Sequence, residues 1–123
     1  MAHKPFPFLF ISDFPDLRLA GGEAFQGRVE IFYANEWWGI CPDLWHLADA
    51  QVICHQLGYS KATSISTGRI SGLAELEYLL SKVNCSGSEA RLSDCDRVYG
   101  SHECSSEQYA EALCATGKEV VVC

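Results

Sequence analysis

Apolar and polar residues alternate along residues 27–33 (GRVEIFY), placing Val29, Ile31 and Tyr33 on one face and Glu30 and Phe32 on the other. Alternation marks a half-buried strand, because successive side chains of an extended backbone point to opposite sides. Ala34, Asn35 and Glu36 can reverse the chain and residues 37–41 (WWGIC) return it, which predicts a hairpin. Over residues 47–57 the period lengthens to about 3.6. Ala50, Ile53, Cys54 and Leu57 then share one stripe of a helix, while His46, Gln51 and His55 fall off it and are assigned to solvent. Gly58 suits the left-handed position that ends helices, and Asp49 suits the positive end of the helix dipole. Residues 17–19 form a short strand candidate broken by Gly21 and Gly22. Residues 61–72 are rich in Ser, Thr and Gly and read as a loop. Residues 76–83 return to a sheet, Ser86 and Glu89 have capping-box spacing ahead of a helical turn over 91–95, and residues 109–114 alternate weakly as a closing strand.

A length of 123 residues suits one domain, and a hydrophobic share of 48% with 20% charged residues lets it bury a core. Seven cysteines in so short a chain point to an oxidising compartment. Their successive spacings of 13, 31, 10, 9, 10 and 9 contain no close pair of the kind that structural zinc sites use. The net charge of −7 argues against nucleic acid and against anionic membrane surfaces. No apolar run approaches the roughly 20 residues needed to cross a bilayer, so no direct membrane insertion by this segment is expected. Residues 1–15 offer no convincing secretory leader, since Pro5 and Pro7 interrupt their short apolar patch, and are read as a leader or linker of unclear role.

Residues 17–22 (LRLAGG), 27–33, 37–41, 49–59 (DAQVICHQLGY) and 83–95 (VNCSGSEARLSDC), in this order, resemble a scavenger receptor cysteine-rich domain. The likeness covers residues 16–115 and leaves 116–123 as a tail or the start of a following segment. It implies a compact, disulfide-rich α+β domain of the six-cysteine type, with a curved antiparallel β-sheet packed on one main α-helix. Sequence alone leaves the cysteine pairing open. The resemblance implies Cys41 with Cys104, Cys54 with Cys114, and Cys85 with Cys95. Cys123 then has no partner within the domain and can bridge to another chain, remain a thiol, or exchange into one of the last bridges.

The resemblance also implies a calcium site made by two aspartates after the WGxxC cysteine and a glutamate after CxGx. Hard divalent cations require such oxygen ligands. Here those positions hold Pro42, Asp43 and Glu89, so one carboxylate is missing; Asp49, Asp94 or backbone carbonyls are candidate substitutes. Glu89 alternatively serves a capping box with Ser86, and Asp43 a turn. The ligands implied are polyanions, microbial surfaces or extracellular proteins, bound outside the cell. Arg18, Arg28, Arg69, Arg91 and Arg97 are the available guanidiniums, whose planar donor forks suit sulfate, phosphate and carboxylate, and Arg91 and Arg97 are the chosen pair. Trp38, Trp45 and Tyr33 are assigned to the core, Trp37 and Tyr99 to the surface.

Catalysis finds no motif: there is no nucleophile elbow, no zinc-protease helix and no phosphate-cradling loop, and His3, His46, His55 and His102 are scattered. The chain is read as a binding module and not an enzyme. The rival reading is an accessory, substrate-positioning domain of a larger extracellular enzyme such as a serine protease or amine oxidase. Asn84-Cys85-Ser86 matches a glycosylation acceptor, with Cys85 restricting access.

Overall fold

The hairpin forms where the alternation predicts it. In the computed structural model, which describes residues 16–116, β2 (Gln26–Tyr33) and β3 (Glu36–Ile40) pair antiparallel with Tyr33 opposite Glu36. Only Ala34 and Asn35 are left for the turn, at φ 54° and 65°. Two left-handed residues give the turn whose twist matches the strands it joins. β1 (Asp16–Ala20) lies antiparallel on β2, from Asp16 opposite Phe32 to Ala20 opposite Arg28. Glycine is obligatory at this approach, because a Cβ on Gly27 would stand 2.3 Å from the Ala20 carbonyl oxygen.

Four more strands complete the sheet: β4 (Ala62–Gly68), β5 (Tyr78–Asn84), β6 (Asp96–Tyr99) and β7 (Tyr109–Cys114). Their order is β4-β7-β2-β3-β5-β6, with β1 added to β2. The α+β class is the one anticipated, but the sheet is mixed: β3 and β5 run parallel, and all other pairs are antiparallel. Residues 61–72, read as a loop, contain β4. It is an outer strand paired only with β7 in this order, so its Ser and Thr side chains face water and carry no apolar alternation. β6, at the other end of the order, is four residues long, too short for a period to show.

Helix α1 (Leu47–Gln56) packs its buried residues Ala50, Val52, Ile53 and Cys54 against the sheet. Val29, Ile31, Ile40, Leu79, Leu80, Val83 and Leu92 are fully buried around it, and Trp38 and Trp45 are nearly so. Gln51, assigned to solvent, instead accepts the Ala62 N–H at 2.9 Å and ties α1 to β4. Gln56 accepts the Leu92 N–H at 2.8 Å and ties α1 to the single 3-10 turn, Leu92–Asp94. Three disulfides, Cys41–Cys104, Cys54–Cys114 and Cys85–Cys95, close the frame. The leader, the tail, His3 and Cys123 lie outside the described residues.

Candidate ligand-binding surface

Of the five arginines singled out, Arg28 is no surface group: it is 4% exposed beside Glu30, itself only 1% exposed. Glu30 belongs to the face of β2 opposite Val29, Ile31 and Tyr33, where Arg18 of β1 and the Ala74 carbonyl ahead of β5 meet Glu30 and Arg28. The Glu30 carboxylate accepts Arg18 Nε and Arg28 Nε, each at 2.7 Å, and Arg28 Nη1 donates to the Ala74 carbonyl at 2.9 Å. Two cations around one buried carboxylate leave that charge compensated. Arg18 also stacks 3.8 Å over the Trp37 ring, and Trp37, assigned to the surface, is half-buried between Arg18 and Phe32. Arg69 is engaged with Glu75 and the Glu107 carbonyl at the rim of a cleft of about 390 Å³ that also contains Glu77, Tyr78 and Tyr109. Burial pushes the Tyr78 hydroxyl up to about 12, and that hydroxyl donates to the Gln108 carbonyl at 2.6 Å.

Arg91 and Arg97 stand on either side of Cys95, where the Cys85–Cys95 bridge closes its loop. Arg91 is half-exposed, with Nε 4.0 Å from Asp94 Oδ2. Arg97 donates from Nη1 to the Cys95 carbonyl at 2.8 Å and from Nε to the Tyr99 hydroxyl at 3.1 Å, with its guanidinium 4.8 Å from the Tyr99 ring centre. Tyr99, assigned to the surface, is half-buried and packs on the core; Tyr33, assigned to the core, is likewise half-buried.

Asp43 and Glu89 are both engaged by nearby donors. Asp43 Oδ2 accepts the Ser105 N–H at 2.8 Å and the Ser105 hydroxyl at 2.9 Å. Glu89 accepts the N–H groups of Ser86 and Gly87 at 2.8 and 2.9 Å and the Ser86 hydroxyl at 3.0 Å. These donors, Ser86 N–H foremost, hold the Glu89 carboxyl down at about 2. Among the described residues, the clusters of three potential ligands pair Asp43 with Cys41 and Cys104, and Glu89 with Cys85 and Cys95. All four sulfurs are spent in disulfides. Each cluster therefore offers a single carboxylate, already hydrogen-bonded, and Pro42 supplies none. Asp49, a candidate substitute, is fully buried and accepts the N–H groups of His46 and Cys85 at 2.8 and 2.7 Å. Sequence reasoning assigned Asp49 to the helix dipole and missed its link to Cys85, 36 residues away.

The family model for the scavenger receptor cysteine-rich (SRCR) domain matches residues 19–115. The chain belongs to that family. It is 41% identical over 101 residues to galectin-3-binding protein of Pongo abelii, covering 80% of this chain and 17% of that protein. It is 36% identical to a scavenger receptor cysteine-rich domain superfamily protein of Patiria pectinifera, covering 80% of this chain and 9% of that one. The chain thus spans less than a fifth of these relatives. Among solved structures, the third SRCR domain of murine neurotrypsin matches with a TM-score of 0.69 at 35% identity, covering 80% of this chain and 94% of that chain. The SRCR domain of mouse MARCO, in its dimeric form, matches with a TM-score of 0.62 at 37% identity, covering 80% and 93%. SRCR domains are extracellular modules that typically bind ligands, and no helix among the described residues is long and apolar enough to cross a membrane.

Proposed function

We propose that this SRCR domain recognises polyanionic or microbial surfaces, or extracellular proteins, by surface complementarity and without covalent chemistry. The observation that carries the reading is the Arg91–Arg97 pair beside the Cys85–Cys95 bridge. Arg97 is held in place by Cys95 and Tyr99, so an anionic group meets a guanidinium whose ordering cost is already met by folding. The domain's charge of −7 opposes long-range attraction of polyanions, so recognition rests on this local pair at short range. Similarity to galectin-3-binding proteins supports protein ligands as a further class. A cation held by Asp43 and Glu89 would assist this recognition, and a thermal shift at millimolar calcium tests it.

The test is the double exchange Arg91→Glu with Arg97→Glu, followed by binding to dextran sulfate and to bacteria. At least a tenfold loss is expected, about 1.4 kcal/mol; unchanged affinity in both assays rules the pair out. The second reading is an accessory domain that positions substrate in a larger extracellular enzyme. Likeness to the third SRCR domain of neurotrypsin favours it, because there the fold is one module of a larger protein. A parent transcript that runs past Cys123 into a catalytic sequence supports this reading, and one that does not opposes it.

A further inference from the structure

We infer that Asn84 is an N-glycosylation site, and that the glycan is attached before the Cys85–Cys95 bridge closes. Asn84-Cys85-Ser86 is an Asn-x-Ser acceptor, and the only other asparagine, Asn35, is followed by Glu36 and Trp37 and is not one. Asn84 is exposed at the last position of β5, opposite Asp96 of β6 at the outer end of the strand order. Asp96 is exposed as well. Nothing buried is displaced by a bulky substituent there.

The rest of the acceptor is fixed by folding. Cys85 is 3% exposed, is bridged to Cys95, and gives its N–H to Asp49 Oδ1 at 2.7 Å. Ser86 gives its N–H to Glu89 Oε2 at 2.8 Å and its hydroxyl to Oε1 at 3.0 Å. A transferase must bend the tripeptide around its own active site and engage the serine hydroxyl. The folded loop withholds both the bend and the hydroxyl, so the extended chain is the substrate. In the transfer, Asn84 Nδ2 forms a bond to the anomeric carbon of an oligosaccharide carried on a polyprenyl diphosphate. The bond from that carbon to the diphosphate oxygen breaks, the diphosphate leaves with the electron pair, and the displaced amide proton passes to a base on the transferase.

The 123-residue chain, directed into the secretory pathway of animal cells and collected from the medium, provides the first test. Peptide-N-glycosidase F is expected to remove one glycan and convert Asn84 to Asp in the peptide map; the secreted Asn84→Gln chain shows neither change. With a single acceptor in the chain, any glycan released by the enzyme reports on this residue. A secreted wild-type chain without glycan at Asn84 overturns the site. Incubating the purified, unglycosylated chain with oligosaccharyltransferase and its lipid-linked donor tests the order. The reduced, unfolded chain is expected to accept glycan and the oxidised, folded chain to refuse it; equal modification of the two overturns the order. Neither result depends on the Arg91–Arg97 reading.

Discussion

Asp49 shows how much one buried carboxylate can organise. It has no exposed surface, it accepts the N–H that begins α1 and the N–H of Cys85, and its Oδ2 lies 2.6 Å from His46 Nδ1. Burial raises its pKa while these contacts hold the charged form in place. In Asp49→Ala the buried Cys85 N–H loses its acceptor, at a cost of about 1–3 kcal/mol, and the N–H of the exposed N-cap residue His46 loses its cap, at about 0.5–2 kcal/mol. A loss of about 2–5 kcal/mol in urea unfolding is expected; a loss below 1 kcal/mol would mean that water replaces the carboxylate. Glu89 gives the opposite pH signature. Its folded pKa of about 2 lies below the ordinary 4.5, so its contribution is fully present above pH 4.5 and is lost as pH falls towards 2. The melting temperature should decline over that window, and Glu89→Gln should be lower at pH 7 and decline less. Parallel curves for the two proteins would assign the acid sensitivity to other carboxylates.

At the scale of elements, the hairpin turn carries a local cost that can be relieved. Ala34 sits at φ 54°, where a Cβ crowds its own backbone, and its side chain is exposed. Ala34→Gly is expected to raise stability by up to about 1 kcal/mol, after the flexibility gained by the unfolded chain is subtracted. Lower stability in the glycine variant would show that the turn is not held in this conformation in solution. β2, β3 and α1 were legible because a period of two or of 3.6 is complete within a short window of sequence. β4 was not, since an outer strand with solvated Ser and Thr side chains lacks an apolar alternation, and β6 was not because four residues are too few to show a period. The burial of Arg28 and Glu30 depends on β1 and on Ala74, contributed from elsewhere in the chain. The same limit applied to the surface: Asp43 and Glu89 could be picked out as carboxylates, but Ser105, which binds Asp43, lies 62 residues away. Trp37 read as exposed because nothing in its own strand announces Arg18 stacked above it.

For the whole molecule, the distribution of cross-links decides which parts can loosen. Cys41–Cys104 and Cys54–Cys114 span 63 and 60 residues, whereas Cys85–Cys95 spans only 10. In the chain-entropy view, a long bridge removes more freedom from the unfolded chain, about 4 kcal/mol against about 3 kcal/mol for the short one. Cys54–Cys114 also fastens α1 to β7, two elements in contact that both contribute buried residues to the core, Val52 and Ile53 from α1 and Ala112 from β7. Replacing both Cys54 and Cys114 by Ala should therefore cost more than replacing Cys85 and Cys95, by at least about 1 kcal/mol in urea unfolding. The ranking matters for binding because Arg91 stands inside the short loop and Arg97 two residues beyond it. If the short bridge proved the costlier one, its tight packing, with Cys85 and Cys95 only 3% and 0% exposed, would outweigh chain entropy. The guanidinium pair would then sit on one of the most tightly fixed parts of the domain. The entropic ranking instead leaves the sheet standing when the short bridge alone is removed, so the chain with Cys85 and Cys95 replaced by Ala should keep its sheet while any anion binding at Arg91 and Arg97 weakens.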